Sequence, residues 1–157
     1  MSVVQRESPV RFSARELATL VARFAIAGVF LYASLPKLAD PGAFAADVQN
    51  YRLLPDALAG HAALFLPPFE LVVAIGLLLP RYQRGAALIA TSMLAIFSVA
   101  MAQARLRGID LSCGCFGAAF EAKVSWLTVI RSAALGLLSA VPLILPNRPA
   151  KTQQSAA

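Results

Sequence analysis

The sequence predicts an all-α membrane protein, a polytopic bundle of four transmembrane helices with a short interfacial helix in its first outward loop. Three observations carry that prediction. Hydrophobic residues make up 59% of the 157-residue chain, against roughly 45–50% in a soluble globular domain. Charged residues make up only 14%, against about 25% in such a domain. The apolar residues are also gathered into four stretches, each long enough to cross about 30 Å of hydrocarbon, which takes about 20 helical residues. This balance excludes a disordered chain, which needs low hydrophobicity and high charge. It argues equally against a soluble domain, whose core the apolar residues would overfill. Strands are excluded because only helices satisfy their own backbone groups within a span of this length in lipid.

The first span covers residues 17–35 and is broken by Pro36. Its apolar run exceeds the 7–15 residues of a signal-peptide core and is interrupted by Arg23, so it reads as an uncleaved anchor. The second covers residues 61–79 and closes at Pro80; Pro67 and Pro68 within it predict a kink or a late start. The third covers residues 85–104, and its small residues (Gly85, Ala86, Ala87, Ala90, Ser92) favour close helix packing. The fourth covers residues 124–145, ending at Pro146. Between the first two spans, DPGAFAADVQNYRLLP from Asp40 to Pro55 predicts the interfacial helix. Asp40 caps it, Pro41 fits its first turn, and Phe44, Val48 and Tyr51 form an apolar face from which Asp47 and Gln49 fall away. Trp126 and Tyr32 read as membrane-interface anchors. The expected organisation is an N-terminal tail over 1–16, a membrane domain over 17–145 and a polar tail over 146–157.

Net charge is +6, from 14 Lys plus Arg against 8 Asp plus Glu. The basic residues are scattered between apolar stretches, so they read as loop charge that sets orientation, and nucleic acid is not an expected partner. Arg6, Arg11, Arg15, Arg81, Arg84, Arg148 and Lys151 fall on one side; Lys37, Arg52, Arg105, Arg107 and Lys123 fall on the other. Seven against five places both termini in the cytoplasm and the loops 36–60 and 105–123 outside.

Both cysteines lie in the second outward loop, in Cys113-Gly114-Cys115-Phe116-Gly117. On that side of the membrane disulfides persist. Two thiols one residue apart close a small ring, and Gly114 permits the backbone that ring needs. A strained disulfide is the readily exchanged kind, and so short a loop makes a poor structural staple. Redox exchange is therefore the first reading of Cys113 and Cys115. Reduced, inert packing at a helix end and metal binding remain alternatives. Metal binding is short of ligands, since a closed site wants four and His61 is the sole histidine.

Three ionisable residues lie within the spans: Arg23, Glu70 and Arg131. At 1.5 Å per residue, Glu70 and Arg131 fall roughly 13 and 10 Å below the outer ends of their spans, near enough in depth to pair. Arg23 enters from the opposite side. The group either registers the helices as an ion pair or forms a polar site beneath the cysteines, holding a quinone head group or relaying a proton.

Arg23 through Lys37-Leu38, Phe44 to Pro55 with Asn50-Tyr51-Arg52-Leu53-Leu54-Pro55, Pro68 with Glu70, and Cys113-Gly114-Cys115-Phe116-Gly117 together resemble the MauE family of methylamine-utilisation proteins, within the DoxX-like four-helix group. The resemblance spans about residues 17–145. It marks Lys37, Tyr51, Pro55, Phe116 and Gly117 as family-motif positions. It implies a role in maturing a periplasmic quinoprotein, helping a disulfide-rich client such as the methylamine dehydrogenase small subunit to form or keep its bridges. A periplasmic thioredoxin-like partner is expected alongside.

The reading that follows is a thiol–disulfide redox or maturation factor of the inner membrane, with the Cys113–Cys115 loop in the periplasm. A nearby Lys37, Lys123 or Arg131 would favour the thiolate. With one dithiol in the chain, electrons must pass onward to a soluble partner or to a membrane quinone, and a quinone acceptor would make the protein an enzyme in its own right. The alternative is a non-catalytic membrane scaffold or assembly subunit of DoxX type, in which the cysteines are incidental. A small transporter is disfavoured by the lack of an internal repeat.

Overall fold

The computed structural model describes residues 13–109 and 125–144, and five helices account for most of them, with no strand among the described residues. Helix α1 spans Ala14–Ala39. It starts on a capping box: the Glu16 N–H donates to Ser13 Oγ at 3.3 Å, and the Glu16 carboxylate takes the Ser13 N–H at 2.8 Å. The helix does not stop at Pro36 as the sequence suggested. Proline deletes only its own N–H, and near a C-terminus the loss of one bond is tolerated; the Asp40 N–H still reaches Pro36 O at 3.0 Å. This extra turn brings Lys37, expected in a loop, into the helix, where it is buried.

Asp40 ends α1 and begins α2, Pro41–Asn50, its side chain accepting the Ala43 N–H at 2.9 Å with Pro41 at the first helical position. The short helix forms where it was expected, packed against α3. Phe44 is buried and Val48 and Tyr51 are half-buried, but so is Asp47, which the sequence placed off that face; Gln49 is exposed. Steps of three and of four residues both return to one side of a helix. Asp47 therefore shares the packed side with Phe44.

Helix α3 spans Asp56–Leu78, five residues earlier at its start than the apolar run indicated, and runs continuously through Pro67 and Pro68. Helices α4, Gln83–Leu106, and α5, Trp126–Ile144, follow. All four long helices are long and apolar enough to cross a membrane. Their outer faces carry Phe24, Phe65, Val72, Ile96, Leu127 and Leu137 exposed, an apolar surface far too extensive for a soluble monomer. The protein is a multi-pass membrane protein.

The four spans form a square in which α1 packs on α3 and α5, and α4 on α3 and α5. Ile26 and Phe30 of α1, Val73 and Leu77 of α3, and Ala87, Ala90 and Leu94 of α4 form the core, with Leu135 and Leu138 of α5 against it. Polar groups pin α4 to α5: Thr91 Oγ1 and Ser139 Oγ lie 2.8 Å apart, and Ser98 Oγ donates to Ser132 Oγ at 3.0 Å. In lipid such bonds contribute about 0.6 kcal/mol each on average. As the sequence anticipated, Ala86, Ala87 and Ala90 are buried in the helix contacts, although Gly85 and Ser92 face outward.

The tightest approach is at Gly76, where an added Cβ would stand 3.0 Å from the Ala86 Cβ. Gly76→Val is therefore expected to push α3 from α4 and cost about 1–3 kcal/mol. Gly28→Ala, with nothing within 4 Å of the new Cβ, should leave stability unchanged or slightly raised. Thermal unfolding of the two variants in the same detergent checks the contrast; equal melting temperatures would remove the claim of close packing.

Candidate functional site

A stripe on α1 builds the site. Thr19, Arg23, Ile26, Phe30, Ala33 and Lys37 recur every three or four residues, and all are buried. Its two basic residues, at opposite ends of the stripe, have different partners. Arg23 donates from Nε to Leu77 O at 2.8 Å and from Nη2 to Leu78 O at 3.0 Å. Those carbonyls belong to the last turn of α3, where no further N–H follows within the helix. A cation there also meets the negative end of the helix dipole. Arg23 is thus a cap for α3 and stands apart from Glu70.

Lys37 is the partner of Glu70. Its ammonium donates to both carboxylate oxygens, at 2.6 and 2.9 Å, and the two side chains are 4% and 3% exposed. Depth arithmetic offered Arg131 as the partner of Glu70; the ion pair the structure shows is with Lys37. Burial so complete leaves little water to screen it, so each charge depends on the other. The Lys37 ammonium also lies over the rings of Phe44, 4.8 Å from the centroid, and Phe97, 5.6 Å away, where the ring faces favour a cation.

Two cavities meet at Lys37. The smaller, about 40 Å³, lies among α1, α3, α4 and α5; Lys37, Glu70, Thr128, Arg131 and Ser132 give it its polar wall. It is large enough for about one or two waters. The structure therefore brings Arg131 to the same cavity as Glu70, as part of its lining. The larger cavity, about 340 Å³, opens under α2 and the turn that follows. Lys37, Asp47 and Tyr51 line it with Phe44, Phe97 and several aliphatic side chains. Arg52 turns the chain here with a φ of 49°, a conformation that costs a non-glycine residue about 1–2 kcal/mol. Arg107 steadies that turn by donating to Arg52 O at 3.4 Å. Leu53 and Leu54 thereby come to line the cavity, and Pro55 stands at the N-cap of α3.

Asp47 is the carboxylate of this cavity outside the spans, and burial pushes its carboxyl up from the ordinary value. The folded state then binds this proton more tightly than the unfolded chain does. That contribution to stability is complete below the ordinary carboxylate pKa and is lost as pH rises through the raised one. Asp47→Asn, which carries no charge to desolvate, should gain stability over the native chain as pH rises from acidic to neutral. Thermal unfolding across that range checks it; a stability difference that does not change with pH would show that the Asp47 carboxyl is not held by burial.

Cys113, Gly114, Cys115, Phe116, Gly117 and Lys123 lie outside the described residues. Among the described elements, α4 ends at Leu106 and α5 begins at Trp126, at the end of the bundle where α1 ends and α3 begins. His61 is exposed, with its Nδ1 2.7 Å from Ala57 O of its own helix. No group of three or more metal-ligating side chains occurs among the described residues. Tyr32 and Trp126 are about half exposed on the outer surface of the bundle.

A family model described as "Methylamine utilisation protein MauE" matches residues 15–145. The chain belongs to the MauE family. The relative from Paracoccus denitrificans, named methylamine utilization protein MauE, is 36% identical over 130 residues, covering 79% of this chain and 70% of the relative. Its counterpart from Paracoccus versutus is 39% identical over 130 residues, covering 81% and 70%. That from Methylorubrum extorquens is 38% identical over 120 residues, covering 75% and 64%. No solved structure shows a significant match. Lys37, which lines both cavities, and its partner Glu70 lie within the matched region of this MauE-family chain.

Proposed function

We propose that this MauE-family protein is a membrane-bound thiol–disulfide exchange factor serving methylamine metabolism. Cys113 and Cys115 form its redox pair and act on a disulfide-rich client outside the inner membrane, such as a methylamine dehydrogenase small subunit, together with a thioredoxin-like partner. The observation that carries the reading is the Cys113-Gly114-Cys115 motif in a chain of this family, both of its cysteines being in one short segment. Two thiols so close form a strained, exchangeable bridge. The bundle's part is to anchor that segment at the membrane, and its link to methylamine rests on the names of its relatives.

The charge pattern supports a periplasmic position. Lys37 is now a buried residue of α1 and leaves the loop count, which becomes seven basic residues against Arg52, Arg105, Arg107 and Lys123. The bias toward cytoplasmic termini is correspondingly greater.

The test is labelling of intact cells with a membrane-impermeant thiol-reactive mass tag, before and after mild reduction. Labelling of Cys113 and Cys115 only after reduction is the expected result and supports an external labile disulfide. Labelling without reduction means resting external thiols, which overturns a resting oxidant. Labelling only after the membrane is dissolved overturns the exchange reading in favour of a scaffold.

A further inference from the structure

The larger cavity has the chemistry of a site for one class of lipid-soluble ligand. At about 340 Å³ it is within the usual size of small-molecule pockets. Its wall is apolar and aromatic apart from the Lys37 ammonium, the Asp47 carboxyl and the Tyr51 hydroxyl. An ammonium has three N–H donors; two are spent on Glu70. The ammonium also faces the rings of Phe44 and Phe97, which border the cavity. A ligand suited to this wall is flat, largely apolar and carries carbonyl acceptors on a ring. A phospholipid acyl chain matches the apolar lining but offers no acceptor to Lys37.

We propose that the cavity enclosed by α2, the Arg52 turn, α3 and α4 binds the head group of a membrane quinone, with one quinone carbonyl accepting a hydrogen bond from Lys37. The ring lies against Phe44 and Phe97, and the isoprenoid tail leaves toward the lipid. The Asp47 carboxyl stands in the same wall. Binding stands on this cavity alone. A redox step would rest in addition on the thiol-exchange reading. In that step the two S–H bonds of reduced Cys113 and Cys115 break and one S–S bond forms. The two electrons and two protons released convert the two quinone carbonyls into the hydroxyls of a quinol.

The test uses the full chain in phospholipid nanodiscs and an azido-substituted short-chain ubiquinone as photoprobe, with labelled peptides mapped by mass spectrometry. Saturable labelling of α2 or of the facing segments of α3 and α4, competed by unlabelled quinone, supports the site. Ala100→Phe, which fills the cavity without touching the ion pair, should weaken probe binding about tenfold or more. Ala62→Phe, from the α3 wall, repeats the test if the first variant does not fold. Labelling competed equally by added phospholipid, or left unchanged in the folded filling variants, overturns the proposal. The Cys113→Ser/Cys115→Ser protein separates the two readings: probe binding must persist in it if the site is as described, and its loss there overturns a site built from Lys37 and Asp47. Wild-type protein that binds the probe but forms no quinol on addition of dithiol overturns the coupled redox step and leaves the binding site standing.

Discussion

Lys37→Met is expected to destabilise the protein by about 3–5 kcal/mol, because it leaves the Glu70 carboxylate buried with neither its counter-ion nor its two hydrogen bonds. The cost comes from the charge left behind, so removing that charge as well should restore most of the loss. Lys37→Met/Glu70→Leu, a pair of apolar side chains in the same space, is expected close to the native stability. Thermal unfolding of the three proteins in one detergent reads the difference. A single variant as stable as the native chain would mean that the pair contributes nothing to holding α1 on α3. A double variant as poor as the single would move the cost from the ion pair to the contacts of Lys37 with Phe44 and Phe97.

Cys113→Ser/Cys115→Ser is expected to abolish function outright while leaving the bundle folded. A one-residue separation makes the pair a weak staple, so its removal should barely alter the melting temperature. The functional readout is growth on methylamine of a methylamine-utilising strain whose own MauE gene is deleted, complemented with the native or the double-serine protein. Loss of growth with normal accumulation in the membrane is the exchange outcome. Full growth would make the cysteines incidental and the protein a scaffold.

Much of the architecture was legible in the residues. Four apolar runs are sufficient evidence for four spans, because hydrocarbon admits no cheaper use of such segments. Asp40-Pro41 announced α2 through local chemistry alone, a side chain accepting a backbone N–H and a proline where no N–H is needed. Arg23 and Glu70 stood out as charges within apolar sequence, which lipid makes costly whatever their neighbours.

Their partners were not legible in the same way. An apparent helix start at residue 61 misstates the depth of Glu70, because α3 begins at Asp56, and Pro36 reads as a stop that leaves Lys37 in a loop. A signal for Lys37 was present: the spacing Ile26, Phe30, Ala33, Lys37 continues the apolar stripe of α1 past the proline. Nothing comparable marks Arg23 as the cap of α3, since its acceptors are carbonyls of Leu77 and Leu78, more than fifty residues away.

The sequence by itself thus determined that this is a four-span α-helical membrane protein with α2 between its first two spans and a lone Cys113–Cys115 pair, because hydropathy, proline and capping act within a few residues of chain. Tertiary structure alone decided that Glu70 takes Lys37, that Arg23 closes α3, that Arg131 joins the small cavity, and that Asp47 turns inward toward the large one. These depend on which faces of α1, α2, α3 and α5 meet, and at what register. An ion pair or hydrogen bond needs atoms within about 3 Å, so a shift of one helical turn, about 5.4 Å, is enough to exchange one partner for another.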